Sequence, residues 1–229
     1  MSDEDLLKLL IGVTSAFAGW VLAQFTSFAK GWLQRRKIRA LLLEELRDLD
    51  FEANRILSFY SRELQIYGAK GIGNSSTTGI SNYIFKNYYK DALLSLNQQQ
   101  RISYQMIHSF VDQVNAGILE LKEMTIEIQD EHFANGLSEK IAKACGGWGE
   151  KLKSEYQHCA SLQWQIRFHL QNEKSPDLSL YTNHHENYVR YLQNVKAEAD
   201  RIIESGKTID RDKFNQAYNP ESFQRAAPL

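Results

Sequence analysis

Residues 9–28 form a run of twenty positions without a charge, in a chain of 229 residues that is otherwise 24% Asp, Glu, Lys and Arg. At 1.5 Å per helical residue, that length matches the roughly 30 Å hydrocarbon core of a bilayer. The next charges, Lys30, Arg35, Arg36, Lys37 and Arg39, are all basic and form a collar with no acid among them. By the positive-inside bias, such a collar puts the N-terminus outside and everything from residue 31 onward in the cytoplasm. The expectation is a single-pass membrane protein with residues 1–30 as its transmembrane segment. Thr14, Ser15, Gln24, Thr26 and Ser27 dilute the run and leave a buried soluble helix as the alternative. A cleaved signal peptide fits less well, because Asp3, Glu4 and Asp5 make the start acidic and the run continues past Ala16, Phe17 and Ala18.

The run is two-faced on a helical wheel. Gly12, Ser15, Gly19, Ala23 and Thr26 fall on one side, while Leu10, Phe17, Val21 and Phe28 face elsewhere. A small-residue stripe lets helix backbones approach closely and is a common association face in lipid. Two readings stay open: the stripe packs helices together, or it lines an aqueous path in a ring of copies. One span cannot conduct alone, so the pore reading requires a homo-oligomer, and both readings surround the segment with membrane lipid.

Beyond the collar the chain reads as all-α. It has three prolines and thirteen glycines, and long stretches favour helix. Residues 31–66 carry the collar and a long helix whose apolar face is Ile38, Leu42, Leu49, Ala53, Ile56 and Tyr60. No breaker separates this helix from the preceding run, so the two are expected to form one rod of about 60 residues, roughly 90 Å long. Residues 67–81, rich in Gly, Ser and Thr, read as a flexible loop. Residues 82–205 read as the bulk of a four- to five-helix bundle. Within it, Tyr83, Phe85, Tyr88 and Tyr89 mark a short helix, and Asn97 with Gln100 mark a capping box opening a helix to about Ile128. The series Ile141, Cys145, Trp148, Leu152, Tyr156, Cys159, Ile166 and Leu170 keeps helical register straight through Gly146, Gly147 and Gly149. Asn183 and Glu186 are the expected cap of a last helix ending at Gly206, followed by a tail, 206–229, with a short helical candidate near 213–218.

Chemistry is sparsely marked. A net charge of −1 offers no global attraction to nucleic acid. The two cysteines, Cys145 and Cys159, have no metal-ligand spacing and read as buried thiols. Gly71-Ile72-Gly73 has neither a preceding strand nor a following Lys-Ser or Lys-Thr, so it is no phosphate loop. Adjacent His184 and His185 point about 100° apart on a helix, which does not suit one metal. No cofactor or metal is therefore expected. One pair carries a sharper possibility: Arg101 and His108, seven apart on one strip of a helix, beside its core face. In a dimer, two such strips could hold a phosphodiester, His as acid or base and Arg on the developing charge.

The Arg101-x6-His108 spacing resembles the divergent form of the HEPN ribonuclease motif, with Ile102 where a polar residue is usual. The arrangement of apolar run, basic collar and helical domain resembles the membrane accessory proteins of RNA-targeting CRISPR systems. These are small bacterial proteins with a HEPN-like domain that assemble into membrane pores. That likeness implies a pore-forming or membrane-disrupting antiviral effector in the bacterial inner membrane, with an RNA-guided defence protein as partner. The alternatives are a membrane-tethered HEPN-type ribonuclease and a non-catalytic scaffold or sensor.

Overall fold

The computed structural model describes residues 3–73 and 77–209. Over these the regular structure is all helical and contains no strand: α1 (Asp3–Gly68), α2 (Tyr83–Ala92) with a 3₁₀ turn (Leu93–Ser95), α3 (Gln98–Asn135), α4 (Glu139–Gln171) and α5 (Asn183–Gly206). The all-α helical bundle expected from the sequence is present. The short helix expected near 213–218 lies outside the described residues.

Helix α1 is the rod that the unbroken pattern foretold, 66 residues or about 100 Å. From Ile38 onward it buries Leu42, Leu46, Leu49, Ala53, Ile56, Tyr60 and Leu64 along one face. Helix α4 lies antiparallel against that face. Cys159 Sγ reaches the Ala53 carbonyl at 3.4 Å, Gln163 Nε2 donates to Asn54 Oδ1 at 3.3 Å, and Arg167 Nε pairs with Asp50 at 2.9 Å. Helix α3 adds Ile107, Val111, Val114, Ile118 and Leu121 to the same core. Helix α5 crosses the end of α1 with backbone on backbone: a Cβ on Gly68 would stand 2.0 Å from the Ile203 carbonyl oxygen, and one on Gly206 would stand 2.2 Å from that of Gln65.

Local signals explain most helix ends. Asn97 Oδ1 accepts from the Gln100 N–H and Gln100 Oε1 accepts from the Asn97 N–H, each at 2.9 Å, closing the capping box. The helix it opens runs to Asn135, past Ile128. The cap of α5 is Thr182, whose hydroxyl accepts from the His185 N–H at 3.3 Å, and not the adjacent Asn183. Helix α4 stays continuous through its glycines because Trp148 is buried, with Nε1 donating to Thr125 Oγ1 at 2.9 Å, while Gly149 leaves room for the Tyr67 ring. The loop after α1 is tied down on its far side. Arg55 donates to Thr77 Oγ1 and the Thr78 carbonyl, both at 2.9 Å, and Asn115 brackets the backbone of Ile80.

The membrane-spanning assignment requires correction. Among the described residues, no helix is long and apolar enough to cross a membrane. The reason lies in composition: Thr14, Ser15, Gln24, Thr26 and Ser27 interrupt the apolar residues, and Lys30 follows closely. The single-pass topology, the outside N-terminus and the inner-membrane location inferred from it fall with that assignment. The basic collar loses its role as a topology signal.

Candidate functional site

The first half of α1 leaves the bundle as a projecting arm. Ile38, 2% exposed, is the first buried residue along it among the side chains described. From Gly12 to Phe28 every side chain is exposed. The exposed set includes Leu10, Val13, Phe17, Trp20, Val21, Leu22, Phe25, Phe28, Trp32 and Leu33. The stretch from Leu10 to Lys37 is about 42 Å of helix at 1.5 Å per residue.

Six of these ten side chains share one side of the axis. At 100° per residue, Leu10, Phe17, Val21, Phe25, Phe28 and Trp32 fall within roughly 80°. The buried face of the bundle half, from Ile38 to Leu64, overlaps that sector and extends it to one side. Apolar residues therefore occupy this side of α1 in both halves, with Arg35 and Arg39 interrupting it at the junction; α4 and its neighbours cover it in the second half and nothing described covers it in the first. On the opposite side lie Gly12, Ser15, Gly19, Ala23 and Thr26, all exposed. A Cβ added at Gly12 or Gly19 meets nothing within 4 Å. Thr26 turns its hydroxyl back to the Leu22 carbonyl at 2.8 Å. The small stripe is thus present and has no packing partner among the described residues.

The basic residues sit at the base of the arm. Lys30, Arg35, Arg36 and Lys37 are exposed and Arg39 is half-buried, while the Arg36 guanidinium lies 5.7 Å from the Trp32 ring centroid. A cation over an indole face keeps that ring partly covered on an otherwise open helix.

Arg101 and His108 both belong to α3, as their spacing implied, but they do not form an accessible pair. The Arg101 guanidinium donates through Nη1 to the Leu96 carbonyl at 2.7 Å, closing the turn before α3. His108 is 2% exposed, stacked on Phe85 with ring centroids 3.7 Å apart, and both its ring nitrogens lack a hydrogen-bond partner. Burial, reinforced by Lys86 and His169, pushes its pKa down to about 3. The ring is neutral, so its 3.7 Å approach to Glu45 is not an ion pair. A base acting on a phosphodiester needs a ring nitrogen that the substrate can reach, and this one is enclosed.

The remaining titratable groups are structural or solvated. His169 Nδ1 meets Ser103 Oγ at 2.8 Å inside the bundle, and burial holds its pKa at about 4. His184 is exposed beside the Phe168 ring, and the described residues hold no group of three or more metal-ligating side chains. Cys159 is buried and Cys145 half-buried, both as free thiols.

Two features escaped sequence reasoning. Glu63, 4% exposed, packs its carboxylate against Gly73, and burial lifts its pKa to about 7. The other is a groove of about 880 Å³ where the end of α1, the start of α4 and the end of α5 meet. It joins three segments far apart in the chain, so no local pattern reports it. Compared with known proteins, the chain matches no family model, no curated protein and no solved structure.

Proposed function

We propose that this protein is a non-catalytic assembly module, in which the bundle holds out a helical arm through which copies of the chain associate. The observation that carries the reading is the apolar side of α1, sealed inside the bundle beyond Ile38, interrupted by Arg35 and Arg39 at the junction, and left uncovered from Leu10 to Trp32. Monomeric soluble proteins rarely expose a contiguous apolar patch beyond a few hundred Å². Phe17, Trp20, Phe25, Phe28 and Trp32 present rings that bury about 150–250 Å² each, which approaches the ~800 Å² per partner of a stable interface. The exposed stripe of Gly12, Ser15, Gly19, Ala23 and Thr26 gives the same arm a second face on which another backbone can come close. The architectural resemblance supports a place for such an assembly in bacterial antiviral defence.

The test is the solution mass of the intact chain and of the double variant Phe17→Glu, Phe25→Glu. Neither side chain touches the core, so the variant should keep the wild-type helical circular dichroism. Wild type should elute as a multiple of 26.4 kDa and the variant as a single chain. An oligomer that is indifferent to both changes would refute the role of the arm.

A further inference from the structure

We infer that the arm of one copy seats in the groove at the far end of a second copy, so that the chains assemble head to tail. This rests on the self-association reading and specifies its acceptor.

The groove is chemically suited to an apolar helix. Tyr67 lines it from the end of α1 and Ile72 from the segment that follows, Ile141 and Cys145 from α4, and Ile203 from α5. Leu137, 88% exposed, stands at its edge. Gly146 lies on its wall with Gly147 next to it, and a Cβ at either position would meet nothing within 4 Å. A glycine inside a helix costs roughly 0.5–1 kcal/mol relative to alanine, and no contact among the described residues demands either of these two. The bare position at Gly146 lets an incoming helix approach the α4 backbone closely. The arm offers matching knobs: Phe17, Val21, Phe25 and Phe28 step by four, four and three along one face, the spacing by which amphipathic helices anchor in apolar grooves.

Charge does not oppose this fit: Lys70 and Lys207 line the groove beside Glu139, with Glu204 accepting from Lys207 Nζ, and the arm begins Asp3-Glu4-Asp5.

Geometry then decides whose arm it is. Arm and groove lie at opposite ends of the single continuous helix α1, about 45 Å apart between Ile38 and Gly68 at 1.5 Å per residue. A straight helix cannot fold back into a groove at its own far end, so the occupant has to come from a second copy. Joining unlike surfaces is a heterologous contact, which closes into a ring or extends as a filament.

Complementary variants test this directly. The arm variant Phe17→Glu, Phe25→Glu keeps its groove; the groove variant Leu137→Glu, Ala142→Glu keeps its arm and alters only exposed positions. Each alone should lose assembly and run as one chain by light scattering. Mixed in equal amounts, they should form a complex of twice the chain mass and stop there, because only one intact arm and one intact groove remain to meet. A groove variant that still assembles as wild type does would overturn the inference and assign arm to arm, leaving self-association standing. A mixture that stays monomeric would overturn it as well. A wild-type protein that is itself monomeric would instead defeat the reading on which the inference rests.

Discussion

Glu45 and Ile84, thirty-nine positions apart, are joined by a 2.7 Å bond in which the carboxylate accepts from the backbone N–H. Its other oxygen accepts from the Phe85 N–H at 2.9 Å. Asn82, the residue placed to cap α2, makes no side-chain cap bond, so a carboxylate from α1 closes the N-terminus of α2 instead. An anion at that end also complements the helix dipole.

Removing the carboxylate leaves two donors without a partner at a partly buried helix end. Glu45→Ala is expected to cost about 2–3 kcal/mol in urea unfolding, and Glu45→Gln roughly half as much. Amide exchange should accelerate first in α2. A loss below about 0.5 kcal/mol would show that the tertiary cap is dispensable.

His108 gives the fold an acid sensitivity. Its pKa falls from 6.5 in the unfolded chain to about 3 in the fold. Below pH 6.5 the unfolded chain takes up a proton that the folded ring refuses, so stability present above that pH declines toward pH 3. Between pH 7 and pH 5 this single group should remove about 2 kcal/mol. His108→Phe keeps the stack on Phe85, discards two unpartnered nitrogens and should lose most of that decline. Parallel pH profiles for the variant and wild type would contradict the assignment.

Glu63 acts with the opposite sign. Its folded pKa is raised, to about 7 from 4.5, so the stability it contributes is full below pH 4.5 and is lost as pH climbs through 7. Glu63→Gln cannot ionise and should therefore gain on wild type between pH 5 and pH 8, by roughly 2 kcal/mol. Thermal melts at the two pH values provide the comparison, and an unchanged difference would rule out a buried, titrating carboxyl.

Helix α4 contains its own controlled experiment. Gly147→Ala adds a Cβ into open space and should stabilise the isolated chain by about 0.5–1 kcal/mol. Gly149→Ala drives a Cβ to 2.1 Å from the Tyr67 ring and should destabilise by about 1–3 kcal/mol. Equal effects at the two positions would mean that the close packing at Gly149 is not real.

Periodicity and chain chemistry made much of this legible. The continuity of α1, the Asn97–Gln100 box and the register of α4 through its glycines all follow from local pattern and the absence of proline. The burial of His108 was also legible in principle: Tyr104 at i−4 and Val111 at i+3 bracket it on the core face, whereas the seven-residue spacing to Arg101 reports only that two side chains share a strip. Thr182 and Asn183 are both competent caps, and only the backbone path selects between them. The cap from Glu45 and the groove escape any local reading because each joins distant segments. The arm misled for a different reason. An uncharged helical stretch of twenty residues has the same length whether lipid or another helix covers it, and the polar residues within it decide against a span.

The most direct measurement is sedimentation equilibrium of the intact wild-type chain over a hundredfold range of concentration. Self-association through the arm requires a mass above 26.4 kDa that rises with concentration or holds at a fixed multiple. A mass of 26.4 kDa across the whole range would contradict it.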